Sequence, residues 1–142
     1  MADLQHLKTV EDLRWNYLAD KQNVSNPVVR YDDRADLFML LFVSPEQETV
    51  VFYADGQVGL LVAPETMEVV GLQIEAFKKH FLQNHDSLER EWRLSETGLD
   101  VKDFGDLLLR FEKRKRRVAQ EVIRATEAVI GEPAAEMMAA LA

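Results

Sequence analysis

If this chain performs acid–base chemistry, Asp32, Asp36 and Glu75 are the residues to carry it. Carboxylates act as general acid or base only within reach of the reacting atoms, so that use requires the three to converge on one pocket. Asp32, Asp33 and Asp36 also make an acidic turn. Calcium needs roughly six or more oxygens in a shaped loop; this spacing lacks that pattern, and turn formation by Asp side chains is the plainer role. His80 and His85 stand five apart, so on one helix they point about 140° away from each other, unlike the i, i+4 pair of a zinc-binding helix. His6 sits close to the start of the chain. With no cysteine anywhere, a disulfide, a Cys-ligated zinc and a cysteine nucleophile are all excluded. Six thinly spread glycines build no nucleophile elbow, phosphate loop or dinucleotide fingerprint. No catalytic residue, metal ligand, cofactor or small-molecule ligand is named by these patterns.

Two surfaces are better defined. Phe104, Leu108, Phe111, Lys115, Val118, Val122, Ala125 and Val129 recur at alternating spacings of four and three, a heptad seam interrupted by one lysine. Such a seam either meets a partner helix, most simply in a homodimer, or lies across the chain's own sheet. The stripe widens to Leu107 and Ala119, which suits packing within one chain as well. On the opposite side of the same helix, Arg110, Lys113, Arg117 and Arg124 form a basic face able to meet phosphates. Glu121 and Glu127 lie beside it and no aromatic residue interleaves for base stacking, so a solvated helix face is the competing explanation.

These residues belong to one expected domain, because 142 residues fall in the range of a single hydrophobic core. The net charge of −8 opposes long-range attraction to nucleic acid or anionic membrane. The apolar share of 47% is too high for a disordered acidic chain. The first ten residues show no targeting pattern. The longest apolar run, Leu37–Val43, falls far short of the ~20 residues of a membrane span. The expected setting is cytoplasmic.

Five segments position the surfaces. Residues 1–27 hold a short helix, Thr9–Asp20, with Thr9 and Asp12 spaced as a capping box, then a loop. Residues 28–75 read as an antiparallel meander of four or five strands. Its short β-type runs are parted by Asp32-Asp33-Arg34, Ser44–Glu48, Asp55-Gly56 and Pro64-Glu65-Thr66, with Asp55-Gly56 expected to form a type I′ hairpin. Leu37, Met39, Leu41 and Val43 alternate with Phe38, Leu40 and Phe42. Both faces of that strand are therefore apolar, and both require a cover: the flanking helices or a second copy of the sheet. Residues 76–102 start with a helix over 76–84 and continue as a connector. Asp103–Ile130 is expected as one long helix, stopped by Gly131 and Pro133. The remaining tail, 131–142, has helical propensity and either docks or frays. The fold class is α+β, a sheet covered by helices with a long C-terminal helix.

Tyr31-Asp32-Asp33-Arg34-Ala35-Asp36 before an apolar strand, and Val70-Gly71-Leu72-Gln73-Ile74 at the close of the meander, resemble a family of short uncharacterised bacterial proteins. Its members open with Tyr-Asp-x-x-Ala-Asp and end in a Val-Gly-apolar-x-Ile strand. The resemblance covers about residues 28–77 and implies a compact antiparallel meander in a prokaryotic setting. It carries over no catalytic residue, and Met1–Pro27 and everything beyond Phe77 depart from it.

Charge is segregated. Residues 31–75 carry nine acidic residues and one arginine, and residues 103–130 carry seven basic and five acidic. Opposite fields on two elements favour their packing, within a chain or between two. The function that follows is a non-enzymatic protein-association module acting as a homodimer, with Phe104, Leu108, Phe111, Val118, Val122 and Val129 as its contact. The alternatives are nucleic-acid binding or regulation through the basic helix face, and an enzyme built on the three carboxylates.

Overall fold

The computed structural model describes residues 10–103 and 105–142; His6, Thr9 and the seam residue Phe104 lie outside them. Seven antiparallel strands form one sheet in the order β3-β4-β5-β2-β1-β7-β6. They are β1 (Val28–Asp32), β2 (Leu37–Leu41), β3 (Val50–Tyr53), β4 (Val58–Ala63), β5 (Glu68–Ile74), β6 (Leu99–Asp103) and β7 (Asp106–Leu109). The chain leaves β2, crosses to the edge strand β3, and returns through β4 so that β5 lies against β2. The sheet is thus larger than four or five strands, and it is not a simple meander.

Local side-chain chemistry sets the turns. Asp32 Oδ1 accepts from the backbone N–H of Arg34 and Ala35 at 2.9 and 3.1 Å, closing the β1–β2 connection. Asp55 Oδ1 accepts from the N–H of Gln57 and Val58 at 2.8 and 2.6 Å. That carboxylate, rather than a positive-φ glycine, shapes the β3–β4 loop; Gly56 keeps an ordinary φ, so the expected type I′ turn is absent.

Among the described residues, four α-helices lie on one face of the sheet: α1 (Asn16–Ala19), α2 (Asp86–Ser95), α3 (Glu112–Ile130) and α4 (Glu132–Leu141). Leu18, Leu88, Trp92, Val118, Val122, Ile123, Met137 and Leu141 from these helices join Val29, Tyr31, Phe38, Leu40, Val58, Leu60, Leu72, Ile74 and Leu109 from the strands in one core. Within it, Trp92 stands edge-on to Phe77 and Phe38, with centroids 5.1 and 5.7 Å apart, a favourable quadrupole geometry.

Three helical expectations change. Thr9–Asp20 reduces to the single turn of α1 after a 3-10 turn at Val10–Asp12. The 76–84 segment is a π-helical turn at Phe77–Phe81 followed by a 3-10 turn. The long helix starts only at Glu112, because residues 99–109 form the β6–β7 hairpin. Gly105 takes φ +84° in its turn, and β7 gains a long-range partner in β1 through Arg30–Leu108, Tyr31–Leu107 and Asp32–Asp106. Pairing and burial of Leu109 outweigh helix propensity there. At 19 residues, α3 spans roughly 28 Å at 1.5 Å per residue. Gly131 does end it, at φ +83°, and the tail docks as α4 with Ala134, Met137, Ala140 and Leu141 buried. Among the described residues no helix is long and apolar enough to cross a membrane.

Candidate functional site

The three carboxylates separate into two environments. Asp36 and Glu75 line one cleft of about 460 Å³, together with Ala35, Leu37, Tyr53, Gln73, Ala76 and Lys79; Asp32 does not, being engaged in its own turn. Asp36 is buried, and its residue sits at φ +53°. Its Oδ1 accepts from the Tyr31 hydroxyl at 2.5 Å and from the Lys78 N–H at 2.8 Å, and its Oδ2 accepts from the Lys79 N–H at 3.0 Å. Its backbone carbonyl accepts from the Phe77 N–H at 3.0 Å. Asp36 therefore caps the π-helical turn from another element, and Ala76, also left-handed at φ +51°, lets the chain enter that turn. Burial works to raise the Asp36 carboxyl. The bonds from Tyr31, Lys78 and Lys79 and the Lys79 charge outweigh it, holding the pKa below the usual 3.8. Tyr31 moves the other way: burial, then its bond to Asp36, raise the phenol. An ionised carboxylate with its lone pairs engaged holds backbone in place. Glu75 stays more accessible, and its carboxylate beside Tyr53 raises the Tyr53 phenol above its ordinary 10.0. Tyr53, Gln73 and Lys79 carried no sequence signal for this cleft, because the β3–β4–β5 register brings Tyr53 to Gln73 and the π-helical turn after β5 brings Lys79. Among the described residues no three of His, Asp and Glu are grouped to hold a metal ion.

The basic face is divided. Arg110 precedes α3 and pairs with Asp100 at 3.4 Å, while Arg124 pairs with Glu121 at 2.6 Å. Lys113 and Arg117 do share a groove of about 430 Å³ with Ser25, Pro27, Glu112, Arg116 and Gln120. The acids met by the other α3 cations are Glu91, for Arg114, and Glu112, for Lys115. Neither is one of the nine acids of the 31–75 segment.

The seam is likewise not one helix stripe. Leu108 lies on β7 and Phe111 precedes α3, where its ring packs over Gly98. Val118 and Val122 are fully buried in their own chain's core, whereas Val129 remains partly exposed. On α3 the 4-3 spacing thus serves the covered face of the sheet.

The opposite face of the sheet carries a second set of apolar residues. Strand register puts Val51, Leu61, Gly71, Leu41 and Val28 in one row, and Tyr53, Gly59, Gln73, Met39, Arg30 and Leu108 in the next. Leu41 and Leu61 are buried, yet neither they nor Val28, Leu37, Met39 and Leu108 join the helix-covered core. Among the described residues no helix covers this face. The bidentate pair of Arg30 with Asp106, at 2.6 and 3.2 Å, lies within it. The alternation at Leu37–Val43 was the sequence signal for this surface.

No protein family, curated protein or solved structure matches this chain.

Proposed function

We propose that this chain is a non-enzymatic protein-association module that works as a homodimer, two copies meeting through the open faces of their sheets. One observation supports it: Val28, Leu37, Met39, Leu41, Val51, Leu61 and Leu108 form a second apolar layer outside the core, on the face without helices. Seven strands about 4.8 Å apart and five residues long give a face of roughly 29 by 17 Å. Burying it on two partners removes on the order of 1,000 Å², the lower bound of a specific interface, so micromolar association is the expected range. The setting that goes with this reading is the bacterial cytoplasm, on the resemblance over residues 28–77 and the lack of cysteine.

Light scattering after size exclusion at tens of micromolar is expected to give the mass of two chains. Met39→Lys and Leu108→Lys each desolvate an unpaired charge in that contact and should raise the dissociation constant at least 100-fold, with far-ultraviolet circular dichroism unchanged. A one-chain mass for the unaltered protein overturns the dimer; folded variants that stay dimeric overturn the face.

A second reading rests on the groove lined by Lys113, Arg116 and Arg117, with Glu112 as its one acid. Nucleic acid bound there should be released by salt and by charge reversal at Lys113, Arg116 and Arg117, whereas reversal at Arg110 and Arg124, which lie outside the groove, should matter less. Absence of binding to mixed-sequence oligonucleotides at low salt removes this reading.

A further inference from the structure

We infer that the outer edge of β3 is a docking edge for an extended segment of a partner protein, apolar in its middle and basic at both ends, which joins the sheet as an eighth strand. β3 is the terminal strand on its side and is bonded to β4 alone. The Ala54 N–H donates to Val58 at 2.8 Å. Alternation along an antiparallel pair then aims the Val50 and Phe52 N–H and C=O at β4, and those of Val51 and Tyr53 outward. Among the described residues no strand pairs with that outer edge.

The two edges of the sheet are built differently. Natural edges are blunted by charge, proline or bulges. β6 follows that practice with Asp100, Lys102 and a register shift. β3 is Val50-Val51-Phe52-Tyr53, with neither charge nor proline, and Val51 and Tyr53 are 37% and 51% exposed. A strand of this composition is ready to template another.

Charge decides which strand. Glu46 and Glu48 precede β3, Asp55 follows it, and Glu75 lines the same cleft as Tyr53 at its far end. No lysine or arginine occurs between Arg34 and Lys78; Lys79 shares a cleft with Tyr53 at that end. In a twofold antiparallel pair of β3 strands centred on Phe52, Val51 of one copy faces Tyr53 of the other, and Glu46 and Glu48 of one copy come to the same end as Asp55 of the other. Like charges placed opposite each other across strands destabilise the pair, and opposite charges favour it. The acids flanking β3 thus select against a second copy and for a strand with lysine or arginine at each end. This edge is separate from the open face, so the inference does not depend on the dimer.

The probe is a synthetic peptide of alternating valine and threonine with two lysines at each end, compared with a twin carrying glutamates there. The lysine peptide should shift the Val51 and Tyr53 amide resonances and slow their solvent exchange at least tenfold. It should bind at least tenfold tighter than its twin at low salt, the gap closing as salt rises. Val51→Pro removes one outward donor and leaves the β4 bonds intact; it should fold and lose the peptide. Equal binding of the two peptides, binding of neither at millimolar concentration, or shifts elsewhere overturns the inference. So do Val51 and Tyr53 amides already protected in a two-chain species without peptide, which would give the edge to a second copy. Met39→Lys should keep the peptide, separating this site from the dimer face.

Discussion

Replacing Asp36 with alanine is expected to cost about 4 kcal/mol of folding stability, read as a lowered urea midpoint with an unchanged slope. The residue looks expendable in the sequence, one of three aspartates in a turn. In the fold its carboxylate is the shared acceptor for Tyr31 and for two amides of the π-helical turn, the bonds running from 2.5 to 3.0 Å. Truncation leaves a buried hydroxyl and two N–H groups without partners. It also places alanine at φ +53°, where aspartate is better tolerated. Asp36→Asn keeps the shape and one acceptor oxygen and should lose about half as much. Tyr31→Phe removes only the hydroxyl and should cost about 1 kcal/mol. The effect carries a pH signature. The folded-state pKa lies below the ordinary 3.8, so the stabilisation is complete above that unfolded value. It is lost as pH falls through the folded one. The stability gap between the unaltered protein and Asp36→Asn should therefore be flat near neutrality and narrow only below about pH 4. A gap that grows on acidification contradicts the assigned bonding.

Gly71→Ala is expected to destabilise by about 3 kcal/mol, the upper range for forcing extra volume into a packed site. A Cβ on Gly71 would stand 2.4 Å from the Leu40 carbonyl oxygen and 3.2 Å from the Leu41 Cα. Both are backbone atoms of the neighbouring strand, so no rotamer change relieves the contact. β5 lies between β4 and β2, and displacing it disturbs pairing on both sides. Gly56→Ala is the control, because nothing lies within 4 Å of its added carbon and its φ is ordinary; it should change stability by less than about 0.5 kcal/mol. If thermal or urea unfolding found the two substitutions equivalent, the close approach of β5 to β2 would be wrong.

Asp36 stands where the cap of a later turn is needed, and Gly71 where a side chain cannot fit. Neither role is visible from spacing, since the partners of Asp36 lie 42 and 43 residues further on.

Strand positions 58–63 and 68–74, the stop at Gly131, the α+β class and the apolar character of both sheet faces followed from the sequence, because strand period, turn chemistry and helix stops are local properties of backbone and side chain. The tertiary structure decided the rest. Residues 103–109, with Phe104 and Leu108 four apart, carry the start of a helix-like spacing that is also compatible with alternation. The partner strand β1 resolved it as a hairpin, through pairing that no local window contains. The same pairing took Leu108 out of the helix seam, and the packing of α3 buried Val118 and Val122 within one chain. That left the apolar face without helices, and the bare edge of β3, as the surfaces on offer. Which side of an apolar strand stays uncovered depends on where all the helices land, and only the assembled chain determines that.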